Sequence, residues 1–139
     1  MCSSDLDPVC IITHDLAVQS IEHLATVLLV VAGFWRAVDQ GFGGALLQGR
    51  EDEPFFGELN ARWDTFVDIS DCLDQKMQLI GCHACQMPTA HYPSHGHRQR
   101  PLKWGAACGC GAAEVFTWVR RGDCGGSPLL AELERNSRP

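Results

Sequence analysis

Several features that would assign this chain to a familiar class are missing from its sequence. Its start is neither basic nor followed by an early apolar core, so we expect no signal peptide and a cytoplasmic protein. The apolar run at residues 24–35 is too short for a transmembrane span. The glycines at residues 41–44 lack the spacing and the lysine of a phosphate loop. No compelling Ser/His/Asp or Cys/His set is present, so we expect no enzyme.

The charge of the chain is distributed unevenly. Residues 1–81 carry 4 Lys or Arg against 13 Asp or Glu, whereas residues 82–139 carry 7 against 4. Such asymmetry is a reason to analyse an acidic region and a mildly basic region separately. Residues 1–6, MCSSDL, resemble a translated sequencing adapter, and we expect them to be an artefact outside the fold.

Two apolar patterns predict two helices in the acidic region. Apolar positions recur in steps of three and four residues over residues 17–38, and again over residues 56–80. The first seam consists of Ala17, Ile21, Leu24, Leu28, Val31, Trp35 and Val38. Gly81 then ends the second helix. An antiparallel α-helical hairpin over residues 7–81 would bury both seams with a short connection.

The middle of the first predicted helix, VLLVVAGF at residues 27–34, is apolar on all sides. A buried core helix is the simplest interpretation of such a segment. The same segment could instead bind a protein partner or form a homodimer, and this alternative stays open.

Four of the five cysteines in the second region form two close pairs. Cys82 and Cys85 are separated by two residues, and Cys108 and Cys110 by one. Tight turns with this spacing can present thiolates to one metal ion, and zinc takes four ligands in a tetrahedron. Without a signal peptide a disulfide framework is disfavoured, while a redox pair and an iron–sulfur cluster remain as alternatives.

This arrangement resembles the zinc-ribbon family over residues 82–121. The resemblance implies a small three-stranded antiparallel sheet with Zn²⁺ held between two turns. Short extended runs lie at residues 86–92, 101–107 and 113–121, and the last, with alternating faces and β-branched residues, is the clearest strand. The ligands that the resemblance implies are Cys82, Cys85, Cys108 and Cys110. The second turn is one residue shorter than the family pattern, so Cys124 is a candidate substitute ligand. A short helix is expected near the C-terminus at residues 129–135, where Ser127 and Pro128 favour a helix start.

The residues between the cysteine pairs predict a second function. Residues 91–104, HYPSHGHRQRPLKW, would form the tip of the ribbon hairpin, and they combine basic with aromatic side chains. Such side chains suit the phosphates and bases of nucleic acid. The candidate nucleic-acid-binding residues are Arg98, Arg100, Lys103 and Trp104.

A third function follows from carboxylates on the predicted second helix. The second predicted helix carries five carboxylates, several of them spaced by three and four residues, as in helical nucleotide hydrolases that bind magnesium. They are Glu58, Asp64, Asp68, Asp71 and Asp74, of which Asp64, Asp68 and Asp71 point away from the seam. Because Phe56 and Trp63 lie on the buried seam, these carboxylates fit a solvated outer face, and we rank this hypothesis last.

The sequence therefore predicts an α+β fold. An antiparallel helical hairpin over residues 7–81 is followed by a zinc-ribbon-like region over residues 82–139, with a small three-stranded sheet and a short C-terminal helix. The predicted function is that of a small, non-enzymatic zinc-binding protein that acts as a protein-interaction module. Nucleic-acid binding is the alternative.

Overall fold

The computed structural model of this chain describes residues 8–14, 21–49, 63–82, 94–122 and 127–137. The strands are β1 (Cys10–His14), β2 (Ala45–Gly49), β3 (Thr65–Asp68) and β4 (Ala113–Arg120). The helices are α1 (Ile21–Asp39), α2 (Leu73–Gly81), α3 (Ser94–Cys108) and α4 (Pro128–Arg135). Helices and one mixed sheet together confirm the α+β fold class.

The four strands form one sheet in the order β1-β2-β4-β3. β1 and β2 are parallel, with Cys10 opposite Ala45 and His14 opposite Gly49. Parallel neighbours need a crossover connection rather than a tight turn, and α1 lies in that connection. All of β2 from Ala45 to Gln48 is buried, as is typical of a central strand covered on both faces.

The other two pairings of the sheet are antiparallel. β2 pairs with β4, where Leu47 lies opposite Trp118. Beside β3, the backbone N–H of Asp64 donates to the carbonyl of Phe116 at 2.9 Å, and that of Ile69 donates to Ala112 at 2.9 Å. Residue numbers rise along one strand while they fall along the other, so β3 and β4 run in opposite directions.

The described residues fall into two compact units. The first comprises those up to Thr65 and those from Phe116 onwards. Its core is apolar and consists mainly of Val27, Phe34, Leu46, Leu47, Leu130 and Leu133. The buried hydroxyl of Thr65 donates to the carbonyl of Leu133 in α4. This bond and the burial of the α4 leucines fix the C-terminal helix within the first unit.

The second unit comprises Phe66–Val115. Its small core includes Leu73, Ala112, Ala113 and Val115. A salt bridge joins Lys76 of α2 to Glu114 of β4. Small residues let α3 and the start of β4 approach closely, because a Cβ on Gly105 would lie 2.6 Å from the backbone of Ala112.

The predicted helical hairpin differs from the observed structure. α1 matches the first predicted helix, but a strand stands on either side of it. In the described part of the second predicted helix, residues 65–68 form β3 and the α-helix begins at Leu73. Residues 54–62 lie outside the described ranges. β-Branched Thr65 and Val67 favour a strand, and pairing with β4 outweighs the helical spacing of the apolar residues.

The predicted three-stranded ribbon also differs from the structure. Residues 94–108, predicted as a hairpin tip and an extended run, form α3. Pro101 and Gly105 are both buried, and they lie one helical turn apart on the same face. Two of the predicted elements are confirmed: β4 at Ala113–Arg120 and the C-terminal helix at Pro128–Arg135.

Candidate interaction surface

α1 is anchored to the first unit by one narrow face. Val27 and Phe34, seven residues apart, are its only described buried side chains. The ring of Phe34 packs edge-on against Phe42, with 5.8 Å between the ring centroids. Near the start of the helix the imidazoles of His14 and His23 are stacked at 4.6 Å. These contacts hold one face of α1, and Leu24, Val31 and Val38 beside it are half-buried, while the opposite side of the helix is exposed.

The outward side of α1 is strongly apolar. Ile21 is 71% exposed, Leu28 55%, Leu29 75% and Trp35 43%. The small residues Ala25 and Ala32 are exposed between them. We name these six residues the α1 surface: Ile21, Ala25, Leu28, Leu29, Ala32 and Trp35. Apolar patches of this kind on a soluble domain commonly mark a binding site.

The exposed side of α1 corrects one expectation from the sequence. The seam that was predicted to be buried includes Ile21, Leu28 and Trp35, which are exposed. Its other described members, Leu24, Val31 and Val38, are half-buried. Val27 and Phe34 are buried instead. Because the helix is apolar on all sides, periodicity alone does not select the face that meets the sheet.

α1 has oppositely charged side chains at its two ends. Glu22 lies in the first turn and Arg36 in the last turn. Both are exposed. A carboxylate near the N-terminus and a guanidinium near the C-terminus complement the helix dipole. The charges therefore stabilise the helix, and they make its exposed side acidic at the N-terminal end and basic at the C-terminal end.

By length and composition alone, α1 could cross a membrane. Its 18-residue window has a mean hydropathy of 1.5, and 11% of that window is buried. One such helix is weak evidence, because core helices and signal sequences share these properties.

The structure separates two of the cysteines that the sequence grouped. The thiol of Cys82, directly after α2, donates to the carbonyl of Gln78 at 3.5 Å. The thiol of Cys110 donates to the carbonyl of Ala112 at 3.4 Å, and the N–H of Ala112 donates to the Ser70 hydroxyl at 3.0 Å. Ser70 precedes α2, so the two thiols lie near opposite ends of this helix, about 14 Å apart along its axis.

This separation bears on the predicted zinc site. Two thiolates on one zinc ion lie within about 4 Å of each other, because each Zn–S bond is about 2.3 Å long. Cys82 and Cys110 are therefore not brought together in this arrangement, and the zinc site stays a prediction. Cys108 ends α3, while Cys85 and Cys124 lie outside the described residues. Within the described ranges, no group of three or more His, Cys, Asp or Glu is placed to hold a metal.

A hydrogen-bonded turn lies beside Cys110, and no sequence pattern predicted it. Asp68 accepts hydrogen bonds from the Ser70 hydroxyl and from the Ser70 backbone N–H, the latter at 2.9 Å. These bonds hold the pKa of Asp68 below its ordinary value of 3.8. Burial and the negative charge of Asp68 raise the pKa of Cys110. This environment favours the thiol over the thiolate in the folded chain.

The predicted nucleic-acid-binding residues all lie on α3. Arg98 forms a salt bridge with Asp74 at 2.7 Å, and both side chains are exposed. The Lys103 ammonium lies 5.7 Å from the centroid of the Trp104 ring. Arg100 and Trp104 are half-buried. Because Asp74 balances the charge of Arg98, the helix presents a modest basic surface, and nucleic-acid binding stays a prediction.

The predicted magnesium carboxylates do not share a helix face. Asp64 precedes β3, and its Oδ2 accepts the backbone N–H of Trp118 at 3.0 Å. Asp68 ends β3, and Asp71 lies in the 3₁₀ turn Ser70–Cys72. The helical spacing on which the magnesium hypothesis depended is therefore absent, and Asp64 and Asp68 bind the protein's own donors.

Comparisons with known proteins identify no relative. No family model matches the chain, and neither a curated protein nor a solved structure is similar enough to match it. Among the described residues, the feature that stands out is the α1 surface.

Proposed function

We propose that this chain is a small, non-enzymatic protein-interaction module whose docking face is the α1 surface. One observation carries the proposal: Ile21 and Leu29 of one helix remain 71% and 75% exposed after the chain has folded. Burial of apolar surface stabilises a complex by about 25 cal/mol per Å². A partner that covers this helix would gain that free energy, which the fold itself does not use.

The pairing of β1 with β2 favours a protein partner for α1 and disfavours a membrane-spanning role. β1 and β2 pair residue by residue, from Cys10 with Ala45 to His14 with Gly49. Both ends of α1 therefore connect to strands of the same parallel pair. A helix that spanned a bilayer would hold its two flanking strands on opposite sides of about 30 Å of hydrocarbon. Such a separation is incompatible with this pairing.

We also propose zinc binding by the cysteines, independently of the α1 surface. Its support is the chemistry of the donors, because thiolates are good zinc ligands. The described arrangement does not favour a site that contains both Cys82 and Cys110. A zinc site that does not contain both Cys82 and Cys110 would combine Cys108 with Cys85 or Cys124. The interaction proposal does not depend on the metal.

The docking surface is tested with two matched leucine variants. Leu29 is 75% exposed on α1, and Leu79 is 70% exposed on α2. Leu29→Asp should reduce the fluorescence of a bound apolar dye such as bis-ANS by about half or more, because it places a charge within a contiguous apolar surface. Leu79→Asp should leave the signal close to that of the unmodified chain.

The dye measurement is made at concentrations where sedimentation shows a single chain, so that self-association does not cover the surface. Far-UV circular dichroism checks that both variants are folded. Equal loss of dye binding in both variants, or no dye binding by the unmodified folded chain, would contradict the proposal.

A further inference from the structure

Three residues of α1 form a line with opposite charges at its ends. Glu22, Leu29 and Arg36 follow one another at intervals of seven residues. Seven residues make almost two full turns, so their side chains lie along one side of the helix. All three are exposed. The line therefore reads acidic, apolar, basic from the N-terminal to the C-terminal end of α1.

This line is complementary to itself in only one orientation. When two copies of α1 lie antiparallel with Leu29 against Leu29, Glu22 of each copy faces Arg36 of the other. When they lie parallel, Glu22 faces Glu22 and Arg36 faces Arg36, and like charges in contact disfavour the complex. Charge complementarity therefore selects an antiparallel pair of α1 helices.

The residues beside this line permit two helices to approach closely. Ala25 and Ala32 occupy the middle of the exposed side, between the charged line and a second apolar line. That second line comprises Ile21, Leu28 and Trp35. Small residues at the centre of a contact allow interaxial distances of about 8 Å, and large apolar residues at its side exclude water.

Resting on the proposed function of the α1 surface, we propose that its partner is a second copy of this chain. The two copies dock α1 against α1 in antiparallel orientation about a two-fold axis that passes near Leu29. Such an interface is isologous, because the same patch serves both copies. Each dimer contains two symmetric Glu22–Arg36 ion pairs.

The helix dipole offers another explanation for Glu22 and Arg36, since each charge is favourable where it stands within a single helix. The two explanations differ in what happens when both charges are exchanged. An exchange of both charges is doubly unfavourable for the dipole, but it restores the pairing between antiparallel copies. A charge-swap series therefore separates them.

The test measures the dimer dissociation constant by sedimentation equilibrium of the full chain at low ionic strength. Glu22→Arg and Arg36→Glu should each weaken the dimer about tenfold, because each creates two like-charge contacts. The double variant should return to within about threefold of the unmodified chain. Added salt should reduce these differences, since exposed charges are screened.

A matched control lies on α4. Arg135 is an exposed basic residue in the last turn of that helix. Arg135→Glu therefore carries the same dipole penalty as Arg36→Glu, and it should leave the dissociation constant unchanged. Leu29→Asp should abolish association in the concentration range where the unmodified chain is dimeric.

Two outcomes would overturn the inference in different ways. If the chain associates but the double variant is weaker than either single variant, the antiparallel pairing is wrong. If the chain is monomeric at every concentration, self-association is wrong. In the second case the dye measurement with Leu29→Asp and Leu79→Asp still decides separately whether the α1 surface is a docking face for another protein.

Discussion

Asp68 and Ser70 show how one hydrogen-bonded turn sets the titration of its neighbours. The Ser70 hydroxyl and backbone N–H both donate to Asp68, and these bonds stabilise its carboxylate form. The same negative charge disfavours the thiolate of Cys110 beside it. The Ser70 hydroxyl also accepts the N–H of Ala112 at 3.0 Å, so this turn connects the end of β3 to the start of β4.

The lowered pKa of Asp68 predicts a loss of stability in acid. Its pKa is depressed in the folded chain, so the unfolded chain binds the proton more tightly. The contribution is therefore complete above the unfolded value and is lost as the pH falls through the folded value. Asp68→Asn should be less stable near neutral pH, and its free energy of unfolding should change less between about pH 5 and pH 2.

Urea unfolding at a series of pH values measures this effect. Asp71→Asn is the matched control, because it removes an exposed carboxylate from the same turn and leaves the Ser70 hydrogen bonds in place. If Asp68→Asn and Asp71→Asn have the same pH dependence of stability, the assigned role of Asp68 is wrong.

At the scale of single elements, two helical glycines differ in the space around them. One is crowded by the residue just before β4, and the other is open. Gly105 in α3 faces the backbone of Ala112, and an added Cβ would lie 2.6 Å from its nitrogen. Gly33 in α1 has nothing within 4 Å of the same position. Whether a Gly→Ala substitution in a helix stabilises the chain therefore depends on the neighbouring element, because that element leaves or does not leave room for a methyl group.

Gly105→Ala should therefore destabilise the chain by about 1–3 kcal/mol, because α3 must move away from the start of β4. Gly33→Ala should stabilise it by about 0.5–1 kcal/mol, since alanine reduces the backbone entropy lost on folding and strengthens the helix. Chemical denaturation of both variants at low protein concentration measures the difference. A stabilised Gly105→Ala variant would show that the close approach of α3 to Ala112 is wrong.

At the scale of the whole molecule, the predicted zinc ligands come from several segments of the chain. If the prediction is right, the purified chain without a histidine tag contains about one zinc ion, and a chelator lowers its thermal midpoint. Cys108→Ser, Cys110→Ser and Cys124→Ser should then reduce the zinc content. Cys10→Ser in β1 is the control. Purified protein with no metal and with free thiols throughout would contradict the prediction.

The elements that sequence patterns predicted correctly are those defined by local information. α1 has a long apolar period, β4 has alternating and β-branched residues, and α4 begins at a serine and a proline. Each of these signals depends on residues close together in the chain. The α+β class follows from their presence together, and the sequence alone was sufficient for it.

The remaining features depended on partners far away in the sequence. Helical spacing around β3 was outweighed by pairing with β4. The polar segment before Cys108 forms α3 although Pro101 and Gly105 disfavour a helix interior, and Gly105 packs closely against Ala112. For the candidate site, the sequence predicted an apolar first helix with an interaction role as an alternative. It did not predict which side is exposed, because a helix that is apolar on all sides has no preferred face until the sheet covers one.

The cysteines show the same division between sequence and structure. Their spacing predicted short turns beside glycines, whereas Cys108 is the last residue of α3. Only the tertiary structure placed α2 between Cys82 and Cys110 and set Asp68 beside the second thiol. Spacing along a chain determines local geometry, whereas the distance between two turns is decided by how the intervening helices and strands pack.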